Sequence, residues 1–176
     1  MNKIIARLEH PKEWSECMAY NPQGTRLAVG SHDNYIYIYQ VEQNYKFYCK
    51  LIGHTSFITA LDWSLSDSPS YIRSNCGSYE LLFFNVDTKT QDKHGASNTV
   101  GVDWASQSCK LGWNVEGIFP EGCDGTHING VDACPELGLI ATGDDYGLVN
   151  VYRDPVRTNK HEARSLRGHS EHVTSV

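Results

Sequence analysis

Few residues in this 176-residue chain stand at spacings that support chemistry. His169 and His172, in the run His169-Ser170-Glu171-His172, have a separation that metal sites use, with His127, Cys109 and Cys123 as available companions. On a strand, however, residues three apart point to opposite faces, and scattered His and Cys rarely gather into four ligands. Asp144-Asp145 offers a carboxylate pair for acid/base work, but Asp-Asp-x-Gly before an apolar run is what a tight turn requires. Glu121-Gly122-Cys123-Asp124-Gly125-Thr126 lacks the alternating oxygens and distal Glu of a calcium loop. Thr174-Ser175-Val176 fits a peptide that adds its C-terminal strand to a sheet edge only if Val176 is a natural terminus. No phosphate-cradling Gly-rich loop, Gly-x-Ser-x-Gly or His-Glu-x-x-His is present. The residues point to no enzyme, no metal and no cofactor.

One charged group stands out. Arg153, Arg157, Lys160, Arg164 and Arg167 fall in one stretch, opposed only by Asp154 and Glu162. The chain as a whole is acidic, with 15 Lys+Arg against 21 Asp+Glu and a net charge of −6. That balance argues against a nucleic-acid partner, which needs a basic footprint. The local strip reads either as a solvated rim or as a contact for an acidic partner.

No apolar run approaches the roughly 18 residues of a membrane helix, so no membrane partner is expected. The opening Met1–Trp14 does not read as a signal peptide. Six cysteines, at 17, 49, 76, 109, 123 and 134, form no Cys-x-x-Cys pair. They read as small buried thiols in a reducing, cytoplasmic compartment.

The elements that would position these residues are strands. Period-2 alternation dominates the chain. Runs rich in β-branched and aromatic residues recur at Tyr35–Val41, Leu81–Val86 and Leu148–Tyr152. Each follows a small-residue turn, and each turn follows another apolar run: 26–29, 71–73 and 139–142. Strand, turn, strand, three times over, is an all-β repeat. A second marker sets its period. Gly53-His54 and Gly168-His169 each stand shortly before an apolar run, and Glu9-His10 does so with one extra residue. His10 and His54 are about 44 residues apart, the period of a four-stranded propeller blade. From His54 to His169 there is room for two periods and a surplus between Thr99 and Gly125.

These residues resemble WD-repeat β-propellers, in which a Gly-His pair opens a blade, an Asp sits in the turn before the third strand, and an aromatic closes that strand. His54 and His169 match the opening His, Asp33 the turn Asp, and Tyr39, Phe84 and Tyr152 the closing aromatic. The sequence departs from the pattern in three ways: no Trp-Asp pair closes a third strand, Ser78 and Tyr146 replace the turn Asp, and Asp145 sits one place early. The resemblance implies a blade-bracing role for His10, Asp33, His54, Asp145 and His169, with the His–Asp network complete in the first blade at best.

The surplus segment is more specific. Val102-Asp103-Trp104-Ala105, Cys109-Lys110-Leu111-Gly112, Val115 to Gly122, and Asp124-Gly125-Thr126 are similar to an irregular blade of the echinoderm microtubule-associated protein-like (EMAP-like) family, in its second, atypical propeller. Trp104, Gly112, Gly117, Pro120, Gly122, Asp124 and Gly125 carry that signature. The resemblance implies a non-enzymatic microtubule-associated scaffold. Its implied partners are tubulin or microtubules, with other cytoskeletal or ciliary proteins, in the cytoplasm, on the cytoskeleton or in the ciliary axoneme. The alternative is a general WD-repeat adaptor for peptides, as in a ubiquitin-ligase or trafficking complex.

The expected organisation is an all-β, partial WD-repeat propeller of about three blades, an incomplete arc. The blades span approximately residues 11–54, 55–122 and 123–169, with flanking strands at 3–10 and 172–176. Propellers close with typically 4–8 blades, so the chain reads as a fragment of a longer one.

Overall fold

The computed structural model describes residues 4–122 and 126–176. They form three separate antiparallel sheets of four strands each. Blade 1 contains β1 (Ser15–Tyr20), β2 (Arg26–Ser31), β3 (Ile36–Gln40) and β4 (Lys46–Leu51), paired in chain order. Blade 2 repeats this with β5 (Ile58–Trp63), β6 (Tyr71–Cys76), β7 (Leu81–Asn85) and β8 (Thr90–Gln91). Blade 3 consists of β9 (Ile128–Cys134), β10 (Leu139–Asp144), β11 (Leu148–Arg153) and β12 (Arg164–Arg167). Helix is confined to one short turn, Gly95–Asn98, and a 3-10 turn, Glu116–Ile118. No described helix is long and apolar enough to cross a membrane. The chain is all-β, a partial WD-type propeller of three four-stranded blades.

The repeat holds to the residue. Leu27 pairs with Tyr39, Ile72 with Phe84 and Ile140 with Tyr152, so the three closing aromatics occupy one register position. All three are buried. The residue following the second strand donates its N–H to the carbonyl just before the first strand, as His32 to Trp14, Gly77 to Phe57 and Asp145 to His127. The second strand of blade 2 runs on past the apolar run 71–73 through Asn75 and Cys76. Both pair with β5, Asn75 opposite Ala60 and Cys76 opposite Ile58. Residues 4–10 and 172–176 belong to no strand, where flanking strands were expected.

The chain folds as two compact units, Met1–Ala105 and Ser106–Val176. In the first, blades 1 and 2 share one core: Ile36, Ile38 and Leu51 from blade 1 meet Ile58, Leu61, Trp63, Ile72 and Phe84 from blade 2. Trp63 is 1% exposed, and its indole N–H donates to the Ala19 carbonyl at 3.0 Å. The opposite face of blade 1 buries Leu27, Val29, Tyr37 and Tyr39 under Leu8. In the second unit, Val131, Ile140 and Tyr152 of blade 3 pack on Val115, Ile118 and Val156.

The two blades of the first unit approach through a glycine. A Cβ on Gly30 would sit 2.6 Å from Cys17 Sγ and 2.7 Å from Ile58 Cγ2. Gly143 has the same place in blade 3, where an added Cβ would sit 2.6 Å from Val173 Cγ1. Ile58 and Val173 each stand four residues after the His of a Gly-His pair, so the sequence marker and the packing share one register. Overpacking costs about 1–3 kcal/mol. Gly30→Ala is expected to destabilise the full-length protein by about that much, and by less in an Ile58→Ala background. Thermal denaturation of the two single variants and the double variant measures the difference.

Candidate functional site

Blade 2 contains a hydrogen-bonded network at its opening His. His54 is buried between Ser74, whose Oγ lies 2.7 Å from Nε2, and Glu80, whose Oε2 lies 3.2 Å from Nδ1. The ring also packs on Phe84, centroids 5.8 Å apart. Glu80 accepts from the Thr55 amide at 2.9 Å, the Thr55 hydroxyl at 3.0 Å and the Cys76 thiol at 3.0 Å. An ionised carboxylate can only accept, so Nδ1 carries the ring proton and the Ser74 hydroxyl donates to Nε2. The thiol, the imidazole and the carboxylate lie within 4.8 Å of one another. Their lone pairs and protons are already matched, and a metal ion would have to break those bonds. Burial, then the bond to Glu80, raises the Cys76 thiol further from ionisation. The group ties the segment before β5 to β6 and to the turn after it.

Blade 1 is built differently. Asp33 Oδ2 accepts from Tyr37 Oη at 2.6 Å and from the Lys12 amide at 2.9 Å, tying the turn to β3 and to the segment before β1. Partial burial would raise its pKa, but the hydrogen bonds, led by that from Tyr37, hold it below the ordinary carboxylate value. His10 makes no bond with Asp33. The extra residue before β1 carries it outward, where it stacks on Phe47 at 4.3 Å and tilts against Tyr39.

In blade 3 the two adjacent carboxylates have separate partners. Asp144 Oδ1 accepts from the amides of Tyr146 and Leu148, each at 2.9 Å, and Oδ2 from Asn150 at 3.1 Å. Asp145 Oδ1 accepts from Asn129 at 2.9 Å and His172 at 2.7 Å, and these two bonds hold its pKa low. Among the described residues, His169, His172, His127 and Cys109 do not gather into a ligand set. His127 stacks on Tyr146 and Cys109 is fully buried. The His169 side chain is exposed.

The signature segment supports both units. In the first, Trp104 pairs with Ser64 in an isolated bridge and covers a buried ion pair. Arg73 Nε donates to Asp62 Oδ2 at 3.0 Å, and the guanidinium lies 4.6 Å from the Trp104 ring centroid. In the second, Gly117 donates to the Val156 carbonyl at 2.7 Å, and Val156 donates to the Asn114 carbonyl at 2.8 Å. A Cβ on Gly117 would sit 2.2 Å from the Thr158 carbonyl oxygen, so only glycine permits this contact. Gly112 is half-buried beside Asn114, while Pro120 and Gly122 are exposed. Asp124 and Gly125 lie outside the described residues, as does Cys123.

The loop that Gly117 anchors carries two cations of the basic strip, Arg157 and Lys160, and Arg153 closes the strand before it. Arg153, Arg157, Lys160, Arg164 and Arg167 are all exposed, and among the described residues none forms an ion pair. Arg157 lies 4.5 Å over the ring of Trp113, itself 61% exposed. Arg164 and Arg167 stand on β12, the edge strand of blade 3. The sequence reading did not single out Trp113, and its place beside the first glycine of the segment was the available signal.

Three repeated blades, a braced opening His and buried closing aromatics define a WD-repeat β-propeller. The whole chain, residues 1–176, matches the model of the second β-propeller of echinoderm microtubule-associated proteins. It is 56% identical over 173 residues to the ciliary WD repeat-containing protein ctxp80 of Euplotoides octocarinatus, covering 98% of this chain and 24% of that protein. It is 45% identical over 168 residues to the 77 kDa echinoderm microtubule-associated protein of Lytechinus variegatus, covering 94% and 25%. Identity to human echinoderm microtubule-associated protein-like 1 is 43% over 162 residues, covering 90% and 20%. The chain belongs to the EMAP-like family, and it spans about a quarter or less of the length of these relatives.

The His54 network has a defined pH signature. Amide and thiol hydrogen bonds pull the Glu80 pKa from an ordinary 4.5 to about 2. As the pH falls through that range the unfolded chain binds the proton first, so the stabilisation is complete above about 4.5 and is lost towards 2. Burial lowers the His54 pKa from its ordinary 6.5, against the pull of Glu80, and this also favours the folded blade as pH rises. Glu80→Gln is expected to flatten the acid loss and to cost about 1–3 kcal/mol at neutral pH. Hydrogen exchange of the β6 and β7 amides in the full-length protein, followed across pH, reads both effects.

Proposed function

We propose that this chain is part of a non-enzymatic scaffold that associates with microtubules. Its basic strip would meet the acidic C-terminal tails of tubulin. The observation that carries this reading is the set of five exposed cations at 153–167, none of which forms an ion pair among the described residues, in a chain of net charge −6. The segment that marks the family anchors the loop of Arg157 and Lys160 through Gly117 and Asn114, and the other three cations stand on β11 and β12, which supports a fixed presentation of the charges. The relatives' names add support: two are microtubule-associated proteins and a third is ciliary. The corresponding setting is the cytoplasmic cytoskeleton, including the axoneme of a cilium. The bracing networks would serve stability, with His54, Asp33 and Asp145 in structural roles, and no residue in a catalytic one.

Exposed ion pairs each contribute about 0–1 kcal/mol, so single substitutions in the strip should be nearly silent. Together the charges steer encounter, and they act over a Debye length of about 8 Å at physiological ionic strength. Reversing Arg157, Lys160 and Arg164 to Glu is expected to weaken co-sedimentation of the full-length protein with microtubules at low salt and to reduce the salt dependence. Equal affinity and equal salt slope in wild type and triple variant would leave the strip without a role in that association.

A further inference from the structure

We propose that Thr158 is a phosphorylation site for a basic-directed serine/threonine kinase, and that the phosphate switches off the basic strip. The effect on microtubules rests on the tubulin reading above, whereas the acceptor site does not. Thr158 lies in the connection between β11 and β12, residues 154–163, where every residue except Val156 is exposed. Among the described residues no hydrogen bond engages its hydroxyl. The neighbouring Ser165 hydroxyl, by contrast, is committed to Asn150. The exposure belongs to the position in the fold. The corresponding connection of blade 1, with the next blade beside it, is exposed at 42–44, and that of blade 2 is exposed at 87–90.

The backbone suits the modification. Upstream, the Val156 N–H donates to Asn114 and its carbonyl accepts from Gly117, which fixes the start of the segment. Downstream, the His161 N–H donates to the Thr158 carbonyl, and no strand ladder ties 157–163. A kinase reads its substrate as an extended segment, which a loop can present and a paired strand cannot. Charge selects the kinase. Arg157 stands immediately before Thr158 and Lys160 two residues after, while the nearest carboxylates, Asp154 and Glu162, are each four residues away. An acidic substrate cleft fits this pattern and a basic one is repelled by it. In the transfer, Thr158 Oγ1 bonds to the γ-phosphorus of ATP and the bond from that phosphorus to the bridging oxygen breaks. ADP leaves with the electron pair, and the hydroxyl proton passes to the kinase's catalytic carboxylate. Five cations against two carboxylates give the strip an excess of three positive charges, and a phosphothreonine removes about two of them. Charge-assisted bonds to phosphate also draw Arg157 from the Trp113 face that now orients it. An acidic partner would then meet cations already paired.

The test treats the full-length protein with ATP and the catalytic domain of protein kinase C, beside the acid-directed casein kinase 2, and locates phosphate by mass spectrometry. Phosphate is expected at Thr158 with the first kinase and not the second, and Arg157→Ala with Lys160→Ala should slow it about tenfold. The phosphorylated protein should bind poly-glutamate about tenfold more weakly at low salt, with a smaller salt dependence. Thr158→Ala should resist modification there, melt at the wild-type temperature and keep wild-type affinity after kinase treatment. An unmodified Thr158 overturns the proposal, and so does modification of a synthetic 152–164 peptide without modification of the protein. Phosphate at Thr158 with unchanged poly-glutamate affinity overturns the switch. Weakened poly-glutamate binding with unchanged microtubule co-sedimentation upholds the site and the switch and removes the tubulin reading instead.

Discussion

A four-stranded blade has apolar residues on both faces, and neither face can be buried by the blade itself. The first unit meets this constraint by bringing β5 down onto β1 and β2 of the preceding blade. Gly30 allows the approach, because the space its Cβ would take is filled by Cys17 and Ile58. Once the sheets are that close, Trp63 reaches the Ala19 carbonyl and the two apolar faces merge into one cluster. The second unit repeats the device at Gly143, where Val173 covers the same position on blade 3. The networks of Asp33, Glu80 and Asp144 lie within single blades, at their turns and strand ends. The apolar approach sets where those blades stand.

This explains what was legible in the sequence. Alternation and β-branched composition mark β3, β7 and β11, because those strands are central in their sheets and packed on both faces. Gly-His followed four residues later by Ile58 or Val173 is a packing register as much as a motif. The bracing carboxylates were harder to read. The three turns after β2, β6 and β10 have one backbone form, with Asn34, Tyr79 and Gly147 at positive φ three residues beyond the strand. Their carboxylates do not share a position: Asp33 is second after its strand, Glu80 fourth, and Asp144 the last residue of its strand. Each reaches donors of its own, so a pattern that expects one Asp at one place sees Ser78 and Tyr146 and misses Glu80. His10 likewise has the right residue type at a shifted position, and it packs on Phe47 and Tyr39 without bonding to Asp33.

The signature segment could be recognised from its residues, but its physical purpose could not. Asp62 and Arg73 are 0% and 5% exposed, and burying two charges costs several kcal/mol per ion unless their bonds are completed. The Trp104 indole face supplies that environment for the guanidinium, with Phe83 beside it at 6.1 Å. An apolar pair of similar size would stabilise the blade as well without fixing which segment lies over it. A guanidinium accepts an indole face and rejects most alternatives. The ion pair thus lies directly under Trp104, whose backbone pairs with Ser64 at the end of β5.

The same reasoning applies in the second unit with backbone in place of charge. Gly117 donates to Val156 and lies against Thr158, and a side chain at 117 would push the 154–158 loop away. A loop with exposed Arg157 and Lys160 held only by its own ends would lose much conformational entropy on meeting a partner. Fixing its middle to a 3-10 turn, with Val156 buried in the core, settles part of that cost during folding. Arg157 over Trp113 keeps one guanidinium oriented while leaving it accessible. A regular blade connection, whose contacts end with its strands, has no such anchor. An irregular insertion does what the repeat cannot: it holds a charged loop still without adding a strand.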